Sequence, residues 1–128
     1  PAQENRGGDM LHWELHSDGS GGHFMRVMAG GATLPASMET VEKRQHYMTI
    51  KGREVFKFAV NQFANLMQSA MESVGIGPDD VRIVVPHQVN QRIIDAAAKK
   101  INFPVEKIHL NLNRLGNTSA ASIPLAFD

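Results

Sequence analysis

The chain contains no cysteine among its 128 residues, which excludes disulfide bonds and metal sites built on thiolates. It also lacks a net charge, because 13 basic side chains balance 13 acidic ones, so no general electrostatic attraction to nucleic acid is expected. No uncharged apolar run approaches the roughly 20 residues that span a bilayer, and residues 1–9 are polar rather than signal-like. Hydrophobic residues make up 42% of the chain, as in soluble globular proteins, and we expect a cytoplasmic protein.

The spacing of apolar residues predicts an α/β chain that begins with a polar lead-in at residues 1–10. Residues 11–50 are expected to hold strands at 11–15 and 24–28, followed by a loop with a short helical turn. Residues 51–128 form the third segment. They are expected to contain a helix at 53–74 that stops at Gly75, strands at 81–85 and 108–112, and helices at 89–101 and from about residue 118.

Two polar motifs follow the last two predicted strands. The first is Val84–Asn90, which contains His87, and the second is Leu115–Ser122, which contains Asn117. Because the carboxyl ends of parallel strands lie at one edge of a sheet, His87 and Asn117 are expected to converge on one substrate. Both side chains can donate a hydrogen bond, and two fixed donors stabilise an oxyanion of the kind that arises in thioester chemistry. A neutral imidazole suffices for this role if it presents an N–H.

Two other patterns have simpler explanations. His12 and His16 would share one face of a helix as metal ligands do. On the predicted strand, however, four residues span about 13 Å, which is too far for one ion. Gly19–Gly22 is not followed by the Gly-Lys-Ser/Thr of a phosphate-binding loop, so a tight turn is the better interpretation. We therefore predict no metal site.

The motifs Pro86–Asn90 (PHQVN) and Gly116–Ser122 (GNTSAAS) resemble the catalytic histidine and asparagine motifs of the β-ketoacyl-acyl-carrier-protein synthase III family. This family is a branch of the thiolase-like enzymes. The segments 17–22, 35–37 and 52–60 support the resemblance in the order that the family shows, and the likeness runs from about Leu11 to Asp128. It implies the C-terminal half of a thiolase-like fold, with helices packed on a mixed sheet.

The resemblance implies a decarboxylative Claisen condensation of an acyl-CoA with malonyl-acyl carrier protein in fatty acid biosynthesis. His87 and Asn117 would be the catalytic residues and would stabilise the enolate formed when carbon dioxide leaves. No cofactor is implied, because the substrates are thioesters of coenzyme A and of acyl carrier protein. Two alternatives stay open: a related acyltransferase of specialised metabolism, and a non-catalytic subunit that binds acyl carriers.

The resemblance also implies binding residues, each of which has a structural alternative. Asn90 either contacts the pantetheine arm or caps the next helix, a role that asparagine suits equally well. Phe56 lines the substrate tunnel or packs in the core, and packing is favoured for a phenylalanine. Gly52 is placed at the substrate, but Arg53 stands where some members carry an asparagine that contacts the pantetheine. The basic residues that would dock the acidic acyl carrier protein, rather than only face solvent, are Arg92, Lys99, Lys100 and Lys57.

The nucleophile of the family is a cysteine in the first half of the protein, and this chain has none. The chain alone is therefore expected to be inactive in condensation. We expect an N-terminal half that carries the cysteine, and final strands beyond Asp128. We also expect a homodimer, because members of the family resemble obligate homodimers with a large shared interface.

Overall fold

The computed structural model describes residues 8–128, and residues 1–7 of the predicted lead-in lie outside them. The chain divides into two compact units. The larger takes in the described residues up to Leu15 together with Val60–Asp128, and the smaller is His16–Ala59. The two units meet at residues 15/16 and 59/60, whereas the segments drawn from the sequence meet at residues 10/11 and 50/51. Those three segments stay a prediction.

The smaller unit contains a two-stranded sheet. Strand β1 (Met25–Val27) pairs antiparallel with β2 (Met48–Ile50). β1 confirms the strand predicted at 24–28, whereas β2 was not predicted, because that part of the sequence shows a mixed pattern. Helix α1 (Met38–Glu42) is the predicted helical turn. It is started by a capping box in which Ser37 and Thr40 each accept a hydrogen bond from the backbone N–H of the other.

The glycine-containing segment before β1 is a turn, as predicted. The backbone N–H and the hydroxyl of Ser20 both donate to Asp18 Oδ1, over 2.9 and 2.6 Å. The side-chain bond and then the backbone bond favour the ionised carboxyl, which lowers the pKa of Asp18 from its usual value. A 3₁₀ helix, Gly22–Phe24, then leads into β1.

Helices form the core of the larger unit. Helix α2 spans Gly52–Val74 and α3 spans Gln91–Lys100, which confirms the helices predicted at 53–74 and 89–101. The side chains of Met67 on α2 and Ile94 on α3 are buried in one cluster. The other buried members of this cluster are Ala98, Phe103 and Ile108. The short segments that follow α3 therefore pack on the same core as the two helices.

Helix α2 ends where the sequence predicts it to end. Gly75 has φ +70°, the backbone N–H of Gly75 donates to the carbonyl of Glu72, and that of Ile76 donates to the carbonyl of Met71. This pair of bonds is a Schellman motif, which satisfies carbonyls at the end of the helix. Its left-handed residue favours glycine, because a Cβ atom there is close to the backbone.

The strand predicted at residues 11–15 is wrong. These residues form no strand in the structure, and Leu11, Trp13 and Leu15 are exposed at 75%, 71% and 86%. The alternation is real, but it points the apolar side chains outward, while His12 and Glu14 between them are half-buried. A period of two identifies an extended chain but does not say which face is buried or whether a neighbouring strand exists.

The strands predicted at 81–85 and 108–112 are reduced to a single parallel bridge between Val84 and Ile108. The N–H of Val84 donates to Lys107, and the carbonyl of Val84 accepts from His109. Before Val84, the next hydrogen bond of a parallel pair would come from the backbone N–H of Lys107. That N–H donates instead to the carbonyl of Pro104 in a turn. After Val84, the next hydrogen bond would come from the backbone N–H of residue 86, but residue 86 is a proline and has no N–H. In each direction the next backbone donor is therefore lost, and the pairing is limited to one bridge.

Short helices complete the described chain. They are a 3₁₀ helix at Val105–Lys107, α4 at Leu112–Leu115, a further 3₁₀ helix at Ser119–Ser122 and α5 at Pro124–Phe127. Leu112 thus begins a helix and does not end a strand. The helix predicted from about residue 118 is present as the last two of these pieces. None of the helices within residues 8–128 is both long enough and apolar enough to cross a bilayer.

We predict that Gly75→Ala lowers the free energy of unfolding by about 1–2 kcal/mol, because an L residue in the left-handed region costs about that much. An added Cβ at Gly75 meets no atom within 4 Å, so the loss would be conformational and not steric. Urea unfolding of the chain measures it. Gly31→Ala is the matched control, because that glycine is equally open but has no positive φ. Equal losses in the two variants would contradict the prediction.

Candidate active site

The segment that carries His87 is fixed by its neighbour Gln88, whose side chain is fully buried. Gln88 Oε1 accepts a 2.7 Å hydrogen bond from the backbone N–H of Asn111, and Gln88 Nε2 donates to the carbonyl of His109 over 3.4 Å. These backbone groups are the two that residue 86 would serve if the parallel pairing continued. The side-chain amide of Gln88 therefore makes both of these hydrogen bonds, including the one for which Pro86 has no N–H.

His87 lies immediately before this anchor and is exposed. Its Nδ1 atom is 3.0 Å from the hydroxyl oxygen of Ser122, which is 1% exposed. Within residues 8–128 the other ring nitrogen, Nε2, makes no hydrogen bond. The imidazole is thus held at one nitrogen and open at the other.

Asn117 lies in a tight loop between α4 and the 3₁₀ helix at Ser119–Ser122. Its Oδ1 atom accepts a 3.0 Å hydrogen bond from the backbone N–H of Ser119. Gly116 and Ser119 on either side have positive φ, at 70° and 51°. The amide oxygen of Asn117 is therefore already used as an acceptor. Its Nδ2 group can donate, and it makes no hydrogen bond within the described chain.

Hydrogen bonds connect the two motifs. Ser122, which contacts His87, is also 3.2 Å from the hydroxyl of Thr118, the residue that follows Asn117. A separate bond ties the end of the chain to the same region, because Asn111 Nδ2 donates to the carbonyl of Leu125 over 3.3 Å. The structure therefore brings the two motif segments together. The closer expectation, that the side chains of His87 and Asn117 face one cleft, stays a prediction.

Asn90 caps α3. Its Oδ1 atom accepts a 3.0 Å hydrogen bond from the backbone N–H of Arg92, in the second position of the helix. This is one of the two roles that the sequence left open. The Nδ2 group is not used in the cap, and contact of Asn90 with a pantetheine arm stays a prediction.

The basic residues of α3 lie in different surroundings. Arg92, Lys99 and Lys100 are all exposed. Lys100 Nζ donates to Asn61 Oδ1 over 2.7 Å, which holds that charge on the surface of α2. Lys99 lines a shallow pocket of about 400 Å³ that also contains Asp95 and Glu106. An acidic partner would meet these two carboxylates beside Lys99.

Three predicted site residues belong to the smaller unit. Gly52 is the first residue of α2, and an added Cβ there meets no atom within 4 Å. Phe56 is half-buried and Lys57 is exposed. Their assignment to substrate binding and to carrier docking stays a prediction.

An apolar groove of about 570 Å³ lies beside the core of the larger unit. Its lining includes Phe63, Met67, Met71, Val81 and Phe103, but neither His87 nor Asn117. Within residues 8–128, no three His, Asp or Glu side chains come together as a metal ion would require.

Sequence reasoning missed three buried polar residues that build the site: Gln88, Asn111 and Ser122. The sequence marks Ser122 and Gln88 only as members of the two motifs and predicts no structural role for either. A signal for Gln88 was available, because a proline that ends a predicted strand leaves an acceptor on the next strand without its donor. No comparable signal marks Asn111, which was assigned to a strand.

Comparison with known proteins identifies the family. Residues 71–128 match the model of the 3-oxoacyl-[acyl-carrier-protein] synthase III C terminal domain. The chain is 45% identical over 114 residues to a β-ketoacyl-[acyl-carrier-protein] synthase III of Caldanaerobacter subterraneus subsp. tengcongensis, which covers 89% of this chain and 34% of that protein. The chain belongs to the β-ketoacyl-acyl-carrier-protein synthase III family.

Solved structures of synthase III agree with this assignment. The enzyme of Pseudomonas aeruginosa superposes with a TM-score of 0.73 at 35% identity, over 91% of this chain and 33% of that one. The enzyme of Thermus thermophilus gives 0.70 at 41% identity, over 88% of this chain and 34% of that one. These likenesses confirm the predicted α/β, thiolase-like fold. The chain spans about a third of the length of the synthase III relatives that it matches.

We predict that Gln88→Leu lowers the free energy of unfolding by about 1–3 kcal/mol, the usual cost of leaving a buried polar group unpaired. The buried N–H of Asn111 would lose its partner, while leucine keeps most of the side-chain volume. Urea unfolding measures the change. Gln68→Leu on the exposed side of α2 is the control and is expected to have little effect. An equally small loss in Gln88→Leu would show that the amide is not an anchor.

We predict that Asn90→Ala destabilises the chain by about 1 kcal/mol through loss of the α3 cap, and that Asn90→Ser restores most of it. Serine keeps an oxygen that can accept from the N–H of Arg92. Thermal unfolding of the three proteins checks the order. Full stability of Asn90→Ala would contradict the capping role and would leave substrate contact as the explanation for this residue.

Proposed function

We propose that this chain is the C-terminal part of a β-ketoacyl-acyl-carrier-protein synthase III, an acyltransferase that condenses an acyl-CoA with malonyl-acyl carrier protein in fatty acid biosynthesis. The synthase III relatives described above support this proposal. The observation that carries it is the state of two side chains: His87 is held at Nδ1 and open at Nε2, and Asn117 is held at Oδ1 and open at Nδ2.

The chemistry of the condensation explains why these open nitrogens matter. When malonyl thioester loses carbon dioxide, the electron pair of the broken C–C bond moves into an enolate, and negative charge develops on the thioester oxygen. Donors that are already oriented stabilise this charge without rearranging during the reaction. Asn117 Nδ2 can donate without a change in charge, and the imidazole of His87 donates from whichever nitrogen carries a proton.

The other half of the reaction needs an acyl group held for attack by the carbanion. We propose that a cysteine outside this chain holds it, because the chain has no cysteine. The reaction as proposed uses no cofactor, since its substrates are coenzyme A and acyl-carrier-protein thioesters. We place it in the cytoplasm, as the composition of the chain suggests, and in a homodimer, as the sequence resemblance implies. The acidic acyl carrier protein would approach the exposed basic side chains of α3, Arg92, Lys99 and Lys100.

The fixed orientation of both donors favours a catalytic protein over a non-catalytic subunit that only binds acyl carriers. Such a subunit would need to bind the pantetheine arm and the carrier surface, but it would not need a pair of oriented donors at an oxyanion. The choice between primary and specialised metabolism depends on the acyl group selected, and that selection belongs to the part of the protein that holds the acyl group.

We predict that Asn117→Asp lowers the rate of malonyl-acyl carrier protein decarboxylation by about 10²–10³-fold, the usual effect of removing one oxyanion donor. Aspartate keeps the oxygen that accepts from Ser119 but has no N–H, so the loop is retained and the donor is lost. His87→Ala is expected to have an effect of similar size. Release of carbon dioxide by the full-length synthase that contains this chain measures both.

The control is Asn113→Asp, which makes the same chemical change at an exposed position of α4 and is expected to leave the rate unchanged. Full activity of Asn117→Asp would end the oxyanion proposal. The 128-residue chain by itself is expected to form no β-ketoacyl product, because it has no nucleophilic cysteine. Product formation by that chain would contradict the proposal that a cysteine outside it holds the acyl group.

A further inference from the structure

Two backbone groups of opposite character hold the side chain of Gln88. The N–H of Asn111 can only donate, and the carbonyl of His109 can only accept. Within residues 8–128 neither group makes another hydrogen bond. The side chain at position 88 must therefore present an acceptor and a donor at the same time. A primary amide does this, whereas a hydrocarbon offers neither and an ionised carboxylate offers only acceptors.

Asn111 connects this contact to the second polar motif. Its carbonyl accepts hydrogen bonds from the N–H groups of Arg114 and Leu115, which begin helix α4. The helix ends at Leu115, and Asn117 follows after one further residue. Both backbone groups of Asn111 are thus engaged, one with Gln88 and the other with the helical turn that leads to Asn117.

We infer that Gln88 is a positioning residue for decarboxylation, which fixes the separation of His87 and Asn117. His87 is its neighbour in the chain, and Asn117 is reached through Asn111 and α4. Gln88 is fully buried, so it acts through these two side chains and not on the substrate. The inference rests on the proposed function, because it concerns two donors at one oxyanion. Donors of this kind must be held in place, since a misplacement of about 1 Å costs roughly 10²-fold in rate.

The substitution Gln88→Glu tests the inference, because the new side chain makes the required hydrogen bonds in only one charge state. When protonated, its O–H donates to the carbonyl of His109 and its carbonyl accepts from the N–H of Asn111. When ionised, it turns an acceptor toward the carbonyl of His109. Burial raises the pKa of this carboxyl in the folded protein above its unfolded value. The contacts are therefore complete below the unfolded pKa and are lost as the pH rises through the folded pKa.

The first measurement is decarboxylation of malonyl-acyl carrier protein by the full-length synthase that contains this chain. Relative to the unsubstituted enzyme at the same pH, kcat of Gln88→Glu is expected to be near normal at low pH. On ionisation it is expected to fall at least about 10-fold, with little change in KM. Gln68→Glu on the exposed side of α2 is the matched control and is expected to keep the unsubstituted profile. A Gln88→Glu profile equal to that of the control would overturn the inference.

Gln88→Leu covers the case in which the ionised variant unfolds. It lacks both hydrogen bonds at every pH but buries no charge, and circular dichroism checks that it is folded. Its kcat is expected to be lower by about 10-fold or more, with no new pH dependence and little change in KM. Full kcat in folded Gln88→Leu would show that Gln88 supports the fold alone and would overturn the inference.

NMR of the 128-residue chain separates this inference from the proposed function. In folded Gln88→Glu the ring signals of His87 and the side-chain NH₂ signals of Asn117 are expected to shift with one midpoint as the new carboxyl titrates, beyond any change in the unsubstituted chain. An unresponsive Asn117 would overturn the inference, because a local role of Gln88 would leave that side chain unaffected. These spectra need no substrate. Failure of the proposed function would appear elsewhere, as full decarboxylation by Asn117→Asp.

Discussion

The side-chain amide of Gln88 is the constraint on which the arrangement of this site depends. Parallel pairing between the segments at Val84 and Ile108 stops after one bridge, because Pro86 has no N–H to continue it. Gln88 donates to the carbonyl of His109 and accepts from the N–H of Asn111, so its side chain makes both hydrogen bonds that residue 86 would make in a longer strand. The side chain of Gln88 is fully buried, so neither its oxygen nor its nitrogen can bond to water instead. Its position is therefore fixed by these two hydrogen bonds.

This anchor has direct consequences for the chemistry. Residues 86 and 87 are not part of a strand, but Gln88 keeps their segment beside residues 109–111. In this position His87 contacts Ser122. On the neighbouring segment the loop at Asn117 is held by its own short-range bond to Ser119. Each candidate catalytic side chain is thus fixed at one atom and open at another, which is the arrangement that preorganised hydrogen-bond donation needs.

Several features could be predicted from the sequence because they depend on neighbours in the chain. The helix over Gly52–Val74 follows from apolar periodicity, and its end follows from Gly75. The cap at Asn90 was one of two roles considered. The strands were harder. Val81–Val85 and Ile108–Leu112 have the composition of strands, but pairing requires a partner with free N–H and carbonyl groups, and the turn at Pro104–Lys107 and the proline at 86 remove them. At residues 11–15 the alternation was visible while the buried face was not.

The sequence by itself determined the family, the two polar motifs and the absence of a cysteine nucleophile, because each of these depends on the order of residues alone. Only the tertiary structure decided which atoms of those motifs are occupied. The contact of His87 with Ser122 and the bonds of Gln88 join residues 21 to 35 positions apart. Donors and acceptors that distant meet only after the chain has folded, and burial then makes each pairing obligatory, since an unpaired polar group inside the protein is costly.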